Sequence, residues 1–439
     1  MILDFHVENF GSFKDEGGFS FVLPRMASQT PPKGKSWKDV TSRVVAVFGP
    51  NASGKTTLLH ALGALAKAVE EPNTNLYNPY ILNSGDNTDS TKYIINFTKD
   101  NDRYVYKVEA SKWGIIEETL HAYKTSHKRL LFSRTLDSNG KMLFKAGNSL
   151  RGATNEVRKL VQKKQLFLSI AYKYGHSDLK NVAQGILLGG NIDINMHNEN
   201  TRDFNLHWMT QQIHSGPKEW KKIAQTIAEA ADFGIERVEI DEREIDPDFL
   251  KFIHAMQSVM NQDEAEEKEP FEIPEEIIDQ FKRSLTFYHR GTDGREFKLS
   301  MDAQSEGTKQ WFSLAGRAIE ALRKGAILVV DELDSSLHPL LVHELIKLFK
   351  NDDSNKKGAQ LIFNSHDTSL LGNMPIPLLE PYEVWFVDKD PSDGVSVSYS
   401  MDEFDNRKSN NGQKRYLAGK FGAVPELDVF SMQKYLEEL

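Results

Sequence analysis

The chain has no cysteine among its 439 residues, which excludes disulfides and thiolate metal sites and fits a reducing compartment. Long hydrophobic runs are missing as well. No apolar stretch reaches the 18 or so residues that cross a bilayer, and Met1-Ile2-Leu3-Asp4-Phe5 has neither a basic leader nor an apolar signal core, so we expect a cytoplasmic protein with no membrane partner. Positive charge is not in excess: 54 Lys and Arg stand against 63 Asp and Glu, a net of −9. That balance argues against non-specific coating of nucleic acid, while leaving room for a local basic strip. Arg158, Lys159, Lys163 and Lys164 form one, on a segment of helical pattern where such residues mark either a solvated face or a phosphate track. Sustained heptads and internal repeats are also absent, which argues against a long coiled coil. With 39% hydrophobic and 27% charged residues, the chain can bury one large or two moderate cores.

What is present begins at Gly49-Pro50-Asn51-Ala52-Ser53-Gly54-Lys55-Thr56. The run Val44-Val45-Ala46-Val47-Phe48 before it reads as a buried strand. Leu58, Leu59, Leu62, Leu65 and Ala66 after it keep helical spacing. Glycines at a strand-to-helix turn let backbone N–H groups and a helix N-terminus face nucleotide phosphates. The spacing points to ATP or GTP, with ATP and Mg²⁺ the expected ligands. Gly49, Asn51, Ser53, Gly54, Lys55, Thr56 and Thr57 are the cofactor-binding candidates; Lys55 can reach the β and γ oxygens, and Thr56 can offer its hydroxyl to the metal.

The second half supplies a partner for that loop. Ala326-Ile327-Leu328-Val329-Val330 reads as a strand buried on both faces and ends in Asp331-Glu332. A carboxylate at that edge can complete a metal shell, and a second one beside it can orient or activate water. Leu333-Asp334-Ser335-Ser336-Leu337-His338-Pro339 follows, then a helix opening at Pro339. About thirty residues on, Gln360-Leu361-Ile362-Phe363-Asn364 reads as another buried strand ending in Ser365-His366-Asp367.

In this order the pieces resemble the ABC-type ATPase heads. The resemblance implies that Asp331 binds metal with Thr56, that Glu332, His366 and Lys55 are the catalytic set, and that His366 contacts the γ-phosphate. It places Asp334 and Ser336 in the segment that helps to join two heads. Ser305-Glu306-Gly307-Thr308 before an amphipathic run looks like the ABC signature. There Ser305 and Gly307 would close a nucleotide site in trans from another subunit, in a head-to-tail dimer or larger homo-oligomer. Two departures stand out: Glu306 replaces the usual glycine, and no Gln occurs between Thr56 and Val161 to serve as the coupling glutamine. A residue near Asn96 is one candidate substitute.

The expected fold class is α/β, an ABC-type P-loop head with an antiparallel β-subdomain and a mainly helical insert. We read residues 1–150 as the first half of the head, 151–283 as the insert and 284–439 as the second half with the family tail. Lys92-Phe97, Arg103-Glu109 and Ile115-Tyr123 alternate like antiparallel strands. Within the insert, Trp220, Ile223, Ile227 and Ala231 share a helical face. The acidic residues at 241–247 and 263–267 read as charged surface, without the spacing of a nuclease metal site.

The tail narrows the resemblance. Glu383-Asp390, Val395-Ser400 and Lys414-Arg415-Tyr416-Leu417-Ala418-Gly419-Lys420-Phe421-Gly422-Ala423-Val424-Pro425 look like the end of a bacterial group of ABC-type, AAA-labelled ATPases of anti-phage defence. The group includes the RloA and abortive-infection ATPases, and the ATPase subunit of the PARIS system is similar. It implies an ATPase sensor or scaffold controlling a separately encoded effector, often a Toprim-like nuclease, with a phage-derived trigger. A DNA-repair or chromosome-type clamp is the alternative, in which DNA would be the partner.

Overall fold

The structure, a computed structural model, describes residues 1–24, 30–82, 89–124, 127–187, 194–195, 199–230, 234–242, 282–373, 376–404 and 411–425. Ala231 and the acidic run at 263–267 lie outside the described residues, as does most of 241–247. The chain divides into two compact units, one of residues 1–196, 320–335 and 342–439, the other of residues 197–319 and 336–341. Residues 151–196 thus pack with the first unit, and 284–319 with the second.

The first unit contains two sheets. Alternating apolar residues build a seven-stranded antiparallel sheet in the order β2-β1-β4-β5-β6-β7-β8. Its strands are β1 (Ile2–Glu8), β2 (Gly17–Ser20), β4 (Thr91–Lys99), β5 (Asp102–Ser111), β6 (Gly114–Tyr123), β7 (Lys128–Leu136) and β8 (Met142–Ala146). The continuously apolar runs form the other sheet, in the order β16-β15-β3-β14-β13-β9. Its members are β3 (Val44–Phe48), β9 (Ile194–Asn195), β13 (Ile327–Val330), β14 (Gln360–Asn364), β15 (Val384–Lys389) and β16 (Ser396–Ser400). All neighbours here are parallel except β15 and β16. Every residue of β3, β13 and β14 is buried, as expected for parallel strands covered on both faces.

Helix α1 (Lys55–Glu70) buries Leu58, Leu59, Leu62 and Leu65 in one core with Val45 and Val47 of β3 and Phe5, Tyr93, Ile95 and Tyr106 of the antiparallel sheet. Burial of each leucine contributes about 1.5–3 kcal/mol. Helices α2 (Thr154–Leu160), α3 (Phe167–Lys173) and α4 (Leu179–Leu187) follow, and α3 and α4 pack on α1. Helix α1, directly after the glycine loop, is therefore held both by the sheets and by α3 and α4.

The second unit holds α5 (Glu199–Ser215), α6 (Glu219–Ala230) and a three-stranded antiparallel sheet of β10 (Ile235–Glu242), β11 (Arg283–Arg290) and β12 (Glu296–Ser300). Trp220, Ala224 and Ile227 of α6 are buried, and the Trp311 indole donates to the Ile227 carbonyl at 2.9 Å. β10 lies in the stretch read as mainly helical: its charged residues, Glu236, Arg237, Glu239 and Asp241, mask the period-2 signal of a half-buried strand. Three further helices lie among the described residues: α7 (Glu306–Lys324), α8 (Pro339–Lys350) and α9 (Gly412–Leu417).

Candidate nucleotide site

The C-terminal ends of adjacent parallel strands gather the site. β14 lies between β3, which carries the glycine loop, and β13, which carries Asp331 and Glu332. Glycine is required in the loop for space and for conformation. A Cβ on Gly49 would stand 2.1 Å from the Val387 carbonyl oxygen. Gly54 has φ 112°, and its Cβ would meet the hydroxyls of Ser12 and Ser396 at 2.7 Å. Ser396 braces the loop further by donating to the Ser53 carbonyl at 2.5 Å.

Lys55 is buried, and its Nζ donates to the carbonyls of Gly49 and Pro50, each at 2.9 Å. Burial pulls this ammonium below the usual lysine range, while the negative charges of Asp331, Glu332 and Asp334 oppose that shift. Thr56 Oγ1 donates to Asp331 Oδ1 at 2.8 Å. The Asn364 side chain, fully buried at the end of β14, donates to the same carboxylate oxygen, and its own oxygen accepts from the Glu332 backbone N–H at 2.5 Å. Glu332 sits at φ 54°, left-handed for a residue with a side chain, a strain that Asn364 helps to hold. The Asp334 carboxylate accepts from the His366 N–H at 3.2 Å, so the segment after β13 fixes the exposed His366.

The structure thus brings Gly49, Ser53, Gly54, Lys55, Thr56, Asp331, Glu332 and His366 to one sheet edge. Asn51 lies exposed in the loop, and Thr57 faces Gly11, where a Cβ would stand 2.6 Å from its methyl group. Ser305 and Gly307 belong to the second unit. There Ser305 Oγ accepts from the Thr308 N–H at 3.2 Å and so caps α7, and a Cβ on Gly307 would stand 3.0 Å from the Ser336 carbonyl oxygen. Glu306, where the resembled signature has glycine, is bonded by Lys309 at 3.0 Å and by Arg202. These bonds hold its carboxyl below the usual range, that of Lys309 most strongly. Asn96, near which a substitute for the missing glutamine was expected, is itself taken up by Asp4 at 2.6 Å and Arg103 at 2.9 Å on the antiparallel sheet.

Asn364 is the residue that sequence reasoning passed over. Its signal was an amide closing the apolar run Leu361-Ile362-Phe363, where a buried polar group needs a partner. The tail also reaches this region: the Tyr416 ring stacks on Phe386 at 5.4 Å and meets the edge of Phe48, the last residue of β3, at 6.5 Å.

These residues fit a nucleotide. The Ser53 hydroxyl is buried without a hydrogen-bond partner, Lys55 has no ion pair among the described residues, and the helix behind the loop leaves its first N–H groups for an anion. Thr56 and Asp331 together offer the hard oxygen donors that suit Mg²⁺. Glycine loop and buried lysine after β3, and a carboxylate pair after β13 with β14 between them, define an α/β P-loop head of the AAA class. Residues 44–163 and 191–372 match the family described as "AAA domain, putative AbiEii toxin, Type IV TA system", and the chain belongs to that family.

No curated protein matches the chain. Among solved structures, the SMC head domain from Thermotoga maritima is similar at 14% identity and TM-score 0.43, over 91% of this chain and 98% of that one. The SMC head bound to the C-winged helix domain of ScpA is similar at 13% identity and TM-score 0.45, over 91% and 97%. An SMC head with extended coiled coil, bound to the C-terminal domain of ScpA derived from Pyrococcus furiosus, gives 14%, 0.38, 91% and 96%. Among the described residues no helix is long and apolar enough to cross a membrane, and no cluster of three or more His, Cys, Asp or Glu could hold a metal ion.

Proposed function

We propose that the chain is an ATP-binding and ATP-hydrolysing switch of bacterial anti-phage defence that controls a separately encoded effector, a Toprim-like nuclease being the kind expected. The observation that carries the nucleotide reading is the cluster of Thr56, Asp331, Asn364 and Glu332 beside Lys55. The defence reading rests on the tail resemblance and on the description of the family that matches the chain.

In this reading Lys55 binds the β and γ oxygens, and Ser53 and the loop N–H groups bind the phosphate chain. Thr56 and Asp331 hold Mg²⁺, which when bound supplies Lewis-acid polarisation of the phosphate oxygens. Glu332 orients the attacking water and accepts its proton at the carboxylate, while His366 senses the γ-phosphate. Ser305 and Gly307 close the site of a second copy in a head-to-tail dimer. ATP held between two copies stabilises their association, and its hydrolysis to ADP and phosphate releases them.

The test is the mass and protein content of the native complex with ATP. Glu332→Gln is expected to trap ATP and the assembled state together with a second protein, and Lys55→Ala to weaken nucleotide binding. A lone dimer whose hydrolysis rises on added DNA would move the assignment to a DNA clamp, and unchanged turnover in Glu332→Gln would remove the catalytic role.

A further inference from the structure

A second surface of the first unit carries chemistry that the nucleotide site does not use. Between Asp137 and Asp178 the chain has eight lysines and arginines and one acidic residue, Glu156, a local net of +7 in a protein of net −9. All eight cations are exposed, and none forms an ion pair among the described residues. Elsewhere the protein pairs its cations freely: in the β10–β12 sheet Arg237, Arg283, Arg290 and Lys298 each meet a carboxylate at 3.0 Å or closer.

The fold joins this stretch into one surface. Arg158 of α2 lies over the Phe144 ring of β8 at 5.4 Å, which sets the basic end of α2 beside the strand that carries Lys145. Lys163 accepts the Ile115 N–H on its carbonyl at 2.9 Å, so Lys163 and Lys164 sit beside the tip of the β5–β6 hairpin. That tip presents Trp113, 79% exposed and the most exposed large hydrophobic residue of the described chain, with the Lys112 ammonium 5.6 Å from its ring. An indole that stands in water at a hairpin tip contributes nothing to a core. A flat π-face among unneutralised cations suits a ligand that presents rings and regularly spaced anions together.

We propose that the surface formed by the β5–β6 tip, α2 and residues 161–164 binds single-stranded nucleic acid, with Trp113 stacking on a base and the flanking lysines tracking the phosphates. The net negative charge of the rest of the chain favours this surface over the remaining exposed ones for a strand of phosphates. Duplex is disfavoured as the occupant, since its bases are not free to stack on an exposed indole.

The experiment is fluorescence anisotropy of a labelled single-stranded oligothymidine titrated with the full chain across a salt series. Binding should weaken with salt, with a log–log slope of about −0.7 for each phosphate contacted. Trp113→Ala should lower affinity by about 5- to 150-fold with little change of slope, since stacking on one base contributes about 1–3 kcal/mol. Lys163→Gln with Lys164→Gln should reduce the slope by about 1.4. Circular dichroism and basal nucleotide turnover of both variants should match the parent, because none of these residues belongs to the phosphate site. Absence of salt-dependent binding, or binding that survives both sets of substitutions, overturns the proposal. So does binding confined to vesicles containing phosphatidylserine, which would make the same surface a membrane contact.

Discussion

Two buried polar clusters of the first unit, one inside the antiparallel sheet and one at the ends of the parallel strands, solve the burial of charge differently. In the sheet, the fully buried Glu118 accepts from the Tyr106 hydroxyl at 2.8 Å and from the N–H groups of Phe167 and Leu168 at 2.7 and 2.9 Å, and Arg134 Nε stands 2.6 Å from it. Every oxygen has partners, and the start of α3 is tied to β6. Burial and the neighbouring carboxylate push the Tyr106 hydroxyl well above the usual tyrosine range, so it remains a donor. At the strand ends, Lys55 meets only carbonyls, Ser53 Oγ meets nothing, and Glu332 holds a left-handed backbone. Saturation marks a cluster that serves the fold. A cluster left open, with a cation of lowered basicity, holds bonding capacity in reserve for a ligand.

Substitutions in the two clusters should act on different properties. Glu332→Gln should show the largest effect, a fall in turnover of about 10²- to 10⁴-fold with an unchanged melting temperature, read by phosphate release and calorimetry. Glu118→Ala should do the reverse. Removing one partner of a buried ion pair costs about 3–5 kcal/mol, seen as a lower urea midpoint, while turnover per folded molecule is retained. A stable Glu118→Ala protein with normal folding would show that saturation is no mark of structure. Asn364→Ala sharpens the contrast, since it loosens Asp331 without removing a ligand. Titration of Mg²⁺-dependent nucleotide binding should show about 10- to 100-fold weaker metal affinity.

The smallest effect concerns pH. Burial, helped by Lys128 and Lys107, holds the His121 imidazole down at about 4, against 6.5 when free. The folded state therefore binds fewer protons between those values, so this histidine costs stability as pH falls through that window and costs none above it. His121→Gln should flatten the loss of urea midpoint between neutral pH and about pH 5.

Much of this was legible in the sequence, because continuous apolar runs flanked by glycine or carboxylate admit few readings. Val44–Phe48, Ile327–Val330 and Gln360–Asn364 are strands, and the loop and carboxylates sit at their ends as their spacing implies. What could not be read depends on long-range neighbours. β9 has two residues and exists only by pairing with Val329 and Val330. β7 and β8 expose charged residues on a half-solvated face, so their alternation was hidden among lysines. The role of Asn364 depends on the strand order that inserts β14 between β3 and β13, and strand order across separations of about 30 and 300 residues is not a local property of the chain.

The brace that Ser396 applies to Ser53 spans 343 residues of chain. On a ribosome, the glycine loop emerges long before β15 and β16 exist to pack against it. At about 5–20 residues per second the interval is on the order of 17–70 seconds. For nearly all of it Gly49 lacks the Val387 carbonyl, and throughout it Gly54 lacks the Ser396 hydroxyl. A nascent chain arrested before β15 is therefore expected to capture no fluorescent ATP analogue, and one extended past β16 to capture it. Translation itself would then act as the timer that keeps an unfinished head from engaging nucleotide.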